Sequence, residues 1–297
     1  MSDPLSERYQ PTLHHTAIHG LQLAHFEWHP ELRGQGPTLL MVHATGFHGR
    51  VWDEVIRHLG PRHVLAFEQR GHGRSQDAPF DSWADFGNDL SAWVAAQGLQ
   101  GAVGIGHSMG AASLVHAASQ QPGAFRQLVL IDPTIVDPAQ YQSGRYEGPL
   151  HPAAQRKNHF ESAQAMIERF TGRPPYAVFT PQALRDFCEH GLQPDAERGG
   201  FKLACAPSTE ARIYTIARHN PGIWQHVQAL HIPALVVRAR PQDPAILPWD
   251  PLGSPTWPHL VTKLRQGRDL LLTLTHLMPM QDPAQVAQII RQEMARE

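Results

Sequence analysis

Cysteine is nearly absent from this chain of 297 residues, which contains only Cys188 and Cys205. Their separation matches neither a metal-binding motif nor a redox motif. Two isolated thiols are typical of small buried hydrophobic residues in a reducing compartment. We therefore expect a cytoplasmic protein.

An excess of charge of one sign and long apolar runs are also missing. The formal net charge is -2 and charged residues make up 18% of the chain. These values do not indicate a nucleic acid or an anionic membrane surface as a partner. No apolar run approaches the length of a membrane span, and residues 1–8 lack the basic and apolar regions of a signal peptide. The expected partner is a small-molecule substrate.

Motifs that bind common cofactors and metals are missing as well. Residues 104–109 begin like the dinucleotide-binding motif G-x-G-x-x-G but have methionine at its third glycine. Neither the phosphate-binding motif G-x-x-x-x-G-K-[ST] nor the zinc-binding motif H-E-x-x-H occurs. We therefore expect no cofactor and no metal.

The most informative feature that is present is the segment Gly106-His107-Ser108-Met109-Gly110. An apolar run, 102–105, precedes it, and residues 111–118 have helical composition. A strand, G-x-S-x-G and a helix in that order form a nucleophile elbow. The sharp turn holds the serine hydroxyl clear of the backbone, and the helix N-terminus favours developing negative charge. This pattern predicts Ser108 as a nucleophile.

The order of the remaining motifs resembles the α/β-hydrolase superfamily over nearly the whole chain. The apolar run 38–42 ends in His43-Ala44-Thr45-Gly46-Phe47, which is similar to the His-Gly loop of that family. Residues 68–75 are similar to its D-x-R-G-x-G-x-S turn, with Glu68 in place of the aspartate. Residues 275–283 are similar to its G-H-x-x-x-x-E-x-P ending, in which His276 and Pro283 keep their spacing.

This resemblance implies an α/β fold with a mostly parallel eight-stranded sheet, helices on both faces and a helical cap. The first thirty residues are typical of an opening antiparallel hairpin. About a hundred residues after Asp132 contain helical patterns but no convincing strand. We therefore expect residues 1–132 and 232–297 to form the catalytic core, and residues 133–231 to form a cap inserted after the sixth strand.

The general base and its acid follow from the ends of the predicted strands. His276 comes after the last strand, on a loop that reaches the same edge of the sheet as Ser108. Asp243 lies after the seventh strand, where most of the family keeps its acid, but Ala239 replaces the usual glycine and the spacing is off by one residue. Asp132 ends the sixth strand, where some members keep theirs. Each aspartate can also be explained as a cap or turn residue before a proline. We favour Asp132 slightly and keep both candidates.

An oxyanion hole needs two backbone amides aimed at the carbonyl oxygen. The resemblance assigns one to Met109, the residue after the nucleophile, and the other to Thr45, or to Phe47 if the loop bulges. His43 and His107 are both expected to have a structural or positioning role rather than to transfer protons.

The substrate pocket is expected beneath the cap, because short helices are stable only when an apolar face is packed. Candidate substrate contacts are His43, Phe47, Phe160 and Trp224. Among the cap aromatics, at most two or three are expected to face the nucleophile; these aromatics are Phe160, Phe170, Tyr176, Phe179 and Trp224. The expected substrate is uncharged or partly apolar.

The predicted function is a serine hydrolase that cleaves an acyl bond, most simply an ester, through an acyl-enzyme. A carbon–carbon bond next to a ketone, or an amide, is the alternative within the same fold, because a fold does not determine the substrate. A ligand-binding signalling protein with a residual triad is the alternative of another class.

Overall fold

The computed structural model describes residues 9–144, 146–246 and 250–296. Residues 1–8, for which the sequence predicts no signal peptide, lie outside this range. Eleven strands occur in the described part of the chain: β1 (Thr12–Ile18), β2 (Leu21–Trp28), β3 (Leu39–Val42), β4 (Val64–Phe67), β5 (Ala102–His107), β6 (Phe125–Ile131), β7 (His159–Phe160), β8 (Leu192–Pro194), β9 (Phe201–Leu203), β10 (Ala234–Arg238) and β11 (Gly267–Leu271).

Eight of these strands form the central sheet in the order β1-β2-β4-β3-β5-β6-β10-β11. Strand β2 is antiparallel to both of its neighbours, and all the other pairs are parallel. Every residue of β3, β4 and β5 is buried, as expected for parallel strands covered on both faces. The mostly parallel eight-stranded sheet predicted from the sequence is confirmed.

Helices cover both faces of this sheet. On one face, α2, α3 and α7 enclose an apolar core that includes Trp93, Leu114 and Val227. On the other, α1 and α9 contribute to a second core that includes Val55 and Ile290. The helices of the described residues are α1 (Asp53–Leu59), α2 (Ala84–Ala96), α3 (Met109–Gln120), α4 (Ala163–Phe170), α5 (Pro181–His190), α6 (Pro207–Thr215), α7 (Ile223–Ala229), α8 (Met278–Gln281) and α9 (Pro283–Met294).

The opening hairpin is also present as predicted. Ile18 pairs with Leu21, so the loop consists of His19 and Gly20. Both loop residues have positive φ, 50° and 80°, which is the conformation of a two-residue type I′ turn.

The inserted segment contains strands that the sequence did not indicate. Strands β7, β9 and β8 form a small antiparallel sheet in that order, in which Phe160 pairs with Phe201 and Leu192 with Leu203. The expectation of a cap without strands is therefore wrong. Strands of two or three residues are too short to show the alternation by which a strand is recognised.

The end of the inserted segment also differs in packing from the boundary predicted at residue 231. Helix α7 packs against α3, and its residues Ile223 and Val227 belong to the same buried core as α2. We therefore propose that α7 belongs with the catalytic core and that the cap ends before it. Within the inserted segment, α5 begins as predicted, since Thr180 Oγ1 accepts a hydrogen bond of 3.1 Å from the Ala183 amide.

The last strand occupies 267–271, three residues earlier than the apolar run 270–274 predicted. Parallel pairing with β10 sets this register, in which Ala234 lies beside Gly267 and Arg238 beside Leu271. The rest of the apolar run leaves the sheet, and Leu272 and Leu274 pack on the second core.

Candidate functional site

Ser108 lies at the sharp turn between β5 and α3. Its φ of 56° and ψ of -119° are rare for a residue with a side chain. The two flanking glycines allow this turn, because a Cβ on Gly106 would lie 2.5 Å from Ala111 Cα and one on Gly110 would lie 2.4 Å from His43 O. The chain therefore holds the Ser108 side chain in the geometry of a nucleophile elbow.

His276 connects this serine to an aspartate. Its Nε2 lies 3.1 Å from Ser108 Oγ, and its Nδ1 donates a hydrogen bond of 2.6 Å to Asp132 Oδ2. A proton held on Nδ1 leaves Nε2 unprotonated and able to accept the hydroxyl proton of Ser108. The structure thus brings three of the predicted catalytic residues together.

Asp132 is fully buried at the end of β6. Its Oδ1 accepts hydrogen bonds from the Ala239 amide at 3.1 Å, Ser254 Oγ at 2.5 Å and Thr256 Oγ1 at 3.1 Å. Burial alone would raise the pKa of the carboxyl, but the hydrogen bonds and the neighbouring imidazole lower it below the usual value. The carboxylate therefore stays ionised at neutral pH and can orient His276.

Asp243, the other candidate for the acid, lies elsewhere. Its side chain is exposed, and its Oδ1 accepts a hydrogen bond of 2.9 Å from the Ala245 amide. This is the local turn contact typical of aspartate. The loop after β10 contributes the hydroxyl groups of Ser254 and Thr256 to the Asp132 carboxylate instead of an acid.

The two residues first predicted to supply the oxyanion amides, Met109 and Thr45, are in side-chain contact. The Met109 amide is at the first position of α3, where it has no acceptor within the helix. Thr45 lines the cavity above Ser108, and its Oγ1 contacts Met109 Sδ at 3.4 Å. The Phe47 amide donates to Ala44 O. Thr45 therefore remains the better candidate for the second amide.

His43 does not contact the cavity, contrary to its predicted place among the substrate contacts. The side chain is fully buried; its Nδ1 donates to Ala44 O at 2.8 Å, and its Nε2 accepts from the Gln69 amide at 3.1 Å. Burial holds its pKa well below the usual value. A neutral His43 therefore connects the loops that follow β3 and β4.

His107 has the positioning role that the sequence predicts. Its Nε2 donates a hydrogen bond of 2.8 Å to the backbone oxygen of His276. Burial lowers the pKa of His107 to about 3, so the ring is neutral at physiological pH. The residue next to Ser108 thus holds the backbone of His276.

A cavity of about 550 Å³ opens above Ser108 and His276. Of the predicted substrate contacts, Phe47 lines it, while Phe160 and Trp224 do not. Phe160 is 1% exposed and packs against Phe170 within the inserted segment, and Trp224 packs against Trp257 on the core face of α7. Both are core residues rather than substrate contacts.

Only Tyr176 among the five cap aromatics lines the cavity. Phe170 and Phe179 instead pack around Phe187. Many other lining residues were not predicted from the sequence, including Thr134, Tyr146, Arg156, Phe187, Glu210 and Tyr214. For Thr134 a signal exists, because it follows the candidate acid by two residues. The lining residues of the inserted segment have no such signal in the sequence, because their orientation depends on how that segment packs.

A partly buried ion pair forms part of the cavity wall. The Arg156 guanidinium donates to the Glu210 carboxylate and, through Nη2, to Tyr176 Oη at 2.7 Å. The expected apolar lining is thus interrupted by a charged group. Within the described residues, no cluster of three or more His, Cys, Asp or Glu side chains could hold a metal ion. No helix among the same residues has both the length and the apolar character to cross a bilayer.

Comparison with known proteins places this architecture in a family. Residues 39–289 match the model of the alpha/beta hydrolase family. The chain is 27% identical over 260 residues to lipase LipV of Mycobacterium tuberculosis, covering 86% of this chain and 93% of that one. It is 36% identical over 108 residues to pimeloyl-[acyl-carrier protein] methyl ester esterase of Nitrosomonas europaea, covering 36% of this chain and 41% of that one.

A solved structure shows the same fold. The peroxisomal alpha-beta-hydrolase Lpx1 of Saccharomyces cerevisiae superposes with a TM-score of 0.72 at 17% identity, covering 97% of this chain and 89% of that one. The chain belongs to the alpha/beta hydrolase family of enzymes.

Proposed function

We propose that this enzyme is a serine hydrolase that cleaves carboxylic esters through an acyl-enzyme. The observation that carries this proposal is the continuous contact from Asp132 through His276 to Ser108, with distances of 2.6 and 3.1 Å, at the floor of a cavity. An unassisted serine hydroxyl is a weak nucleophile, and this arrangement supplies the base that it needs.

In the acylation step, Ser108 Oγ attacks the carbonyl carbon of the ester while its proton passes to His276 Nε2. The carbonyl oxygen takes the negative charge and accepts hydrogen bonds from the Met109 and Thr45 amides. When the tetrahedral intermediate collapses, the bond to the leaving oxygen breaks, and His276 Nε2 returns the proton to it. Asp132 stabilises the imidazolium that forms in between.

In the deacylation step, His276 Nε2 takes a proton from a water molecule, whose oxygen attacks the acyl carbon. Collapse of the second intermediate breaks the bond to Ser108 Oγ, which recovers its proton from Nε2. The products are the free acid and the unmodified enzyme.

The names of the relatives favour an ester over the other acyl bonds, since one is a lipase and another a methyl ester esterase. An amide or a carbon–carbon bond remains the alternative within the family. A signalling protein with a residual triad would need to bind ligand without turning it over rapidly.

Labelling and hydrolysis together test the proposal. We expect a fluorophosphonate probe to label Ser108, and the enzyme to hydrolyse a short p-nitrophenyl ester faster than the matched p-nitroanilide. Ser108→Ala should abolish labelling and reduce turnover by several orders of magnitude. Ser113→Ala, which removes a buried hydroxyl of α3 outside the site, serves as the control. Substantial ester hydrolysis by Ser108→Ala would reject the serine mechanism, and labelling without turnover of any ester or amide would favour the signalling alternative.

A further inference from the structure

The cap side of the cavity contains three connected polar residues, Arg156, Tyr176 and Glu210, which we call the Arg156 cluster. All three line the cavity. The side chains of Arg156 and Glu210 are 25% and 6% exposed. Burial alone would lower the pKa of Arg156, but Tyr176 and Glu210 raise it overall. The guanidinium is therefore charged and partly open to the cavity.

The Arg156 cluster has more hydrogen-bond donors than acceptors. A guanidinium has five N–H groups, and Arg156 uses them toward Glu210 and Tyr176 only, among the residues that the structure describes. Tyr176 Oη accepts from Arg156, so its own proton is left to donate elsewhere. Burial raises the pKa of Tyr176 to about 12, which keeps that proton in place. The cluster therefore lacks an acceptor that a ligand could supply.

The net charge of the cavity wall is positive, which also favours an anionic acceptor. Its charged lining residues are Arg156, Arg218 and Glu210, so one positive charge remains after the ion pair is counted. Aromatic side chains, including Phe47 and Phe187, form much of the remaining wall. Apolar walls strengthen the interaction of a guanidinium with an anion, because they screen it less than water does.

The Arg156 cluster also lies close to the reacting centre. A Cβ placed on Gly46 would lie 2.9 Å from Glu210 Oε1, and Gly46 directly follows Thr45, the proposed oxyanion residue. A group bound to the cluster would therefore be only a short chain away from the ester carbonyl.

We propose that the cavity takes esters whose acyl chain ends in a carboxylate, and that Arg156 and Tyr176 bind that carboxylate. This inference rests on the proposed ester hydrolysis. A guanidinium can bind a carboxylate through two parallel hydrogen bonds, and Glu210 holds it in position. The substrate is then anionic at one end, in contrast to the uncharged acyl group expected from the sequence.

Matched pairs of methyl esters test this specificity. Monomethyl succinate, glutarate and adipate are each compared with the methyl ester of the monocarboxylic acid of equal length, and methanol release gives kcat/KM. We expect at least one pair in which the enzyme prefers the anionic ester by about tenfold or more. Because both esters are measured on the same preparation, any loss of folded protein cancels in the ratio.

Three variants then assign the preference. Arg156→Gln should lower the ratio by about tenfold or more, while Glu210→Gln should raise it, because the guanidinium is then no longer neutralised. The double variant, with both Arg156→Gln and Glu210→Gln, keeps the proposal testable if Arg156→Gln alone does not fold. It should also show a lowered ratio of kcat/KM for the anionic over the neutral ester. Arg185→Gln, on the exposed side of α5, removes the same charge outside the cavity and should leave the ratio at the wild-type value.

The outcomes separate the two proposals. If no pair shows a preference, or if Arg156→Gln and the double variant change the ratio no more than Arg185→Gln does, the carboxylate site is rejected while ester hydrolysis stands. If the wild type hydrolyses neither these methyl esters nor the short p-nitrophenyl ester, ester hydrolysis is rejected. Calorimetry of glutarate with Ser108→Ala then decides the site: binding that Arg156→Gln weakens supports it, and an absence of binding rejects it.

Discussion

Thr134 contacts Ser108 twice: its amide donates to the Ser108 backbone oxygen at 3.2 Å, and its Oγ1 lies 3.0 Å from Ser108 Oγ. Thr134 follows Asp132 by two residues, so one short segment contains the proposed acid and contacts the proposed nucleophile, Ser108. If Thr134 donates to Ser108 Oγ, the serine proton is directed to His276. The contact would thus favour the Ser108 rotamer in which its hydroxyl is hydrogen-bonded to His276.

Removing this hydroxyl tests its role. We expect Thr134→Val, which keeps the shape and the backbone contact, to lower both kcat and the rate of fluorophosphonate labelling by about threefold to tenfold, the cost of one neutral hydrogen bond. Thr134→Ser retains the hydroxyl and should stay near the wild-type rates. Equal rates in Thr134→Val and the wild type would contradict this role.

The hydroxyl groups around Asp132 lead to a second prediction. Ser254→Ala removes a donor to a buried carboxylate, so the free energy of unfolding should fall by about 1.5–3 kcal/mol. The pKa of Asp132 should also rise, because its lowering depends partly on Ser254. Since the carboxylate is lost as the pH falls through that pKa, the acid-side loss of activity should begin at a higher pH.

Chemical denaturation and a pH–rate profile measure these two effects. Thr262→Val, which removes an exposed hydroxyl that donates to the His259 backbone oxygen and not to Asp132, should change neither. If the acid side of the pH–rate profile is unchanged in Ser254→Ala, this hydroxyl does not lower the pKa of Asp132.

The pair His116 and His226 predicts how stability depends on pH. The two rings stack at 3.8 Å between α3 and α7, and burial lowers the pKa of His116 to about 4. The unfolded chain, with an ordinary pKa of about 6.5, therefore binds more protons than the folded one between these values. Stability should be fully present above pH 6.5 and fall as the pH decreases toward 4.

Replacing His116 should flatten this dependence. We expect His116→Gln to reduce the loss of stability between pH 7 and pH 4.5 by about 2–3 kcal/mol, measured by urea unfolding at each pH. His231→Gln, at an exposed position, is the matched control and should retain the wild-type slope. A slope in His116→Gln equal to that of the control would refute this assignment.

Glu68, which stands where the family usually has aspartate, gives the fourth prediction. Its carboxylate is fully buried and accepts from the Gly49 amide at 2.9 Å and the Arg74 amide at 2.5 Å. Glu68→Gln would place an NH₂ group against one of these donors. We expect a loss of about 1–3 kcal/mol in the free energy of unfolding, measured by urea denaturation, whereas Glu31→Gln at an exposed position should change it little.

The sequence could predict the sheet and the elbow because their signals are local. Strands β3, β4 and β5 are buried on both faces and therefore appear as continuous apolar runs. The turn at Ser108 requires glycine on both sides, since any side chain there would collide with backbone atoms. Such constraints leave a fixed pattern in a few consecutive residues.

The cavity could not be predicted in the same way. Phe160 and Tyr176 are both cap aromatics, yet one is buried in the cap and the other lines the cavity. Which of them faces Ser108 depends on how the cap segments pack against each other and against the core. Likewise, the contact of Arg156 with Glu210 joins residues far apart in the chain, and no spacing rule connects them.

The position of Asp132 has a consequence for heat inactivation. Ser108 and Asp132 follow β5 and β6, which are hydrogen-bonded neighbours in the middle of the sheet, and His276 is held through its backbone by His107. The distance between Ser108 and Asp132 is thus set by two buried central strands, the kind of element that opens at the highest free energy. Activity should therefore persist on heating until the sheet itself unfolds, so that the rate of ester hydrolysis reports the integrity of the core.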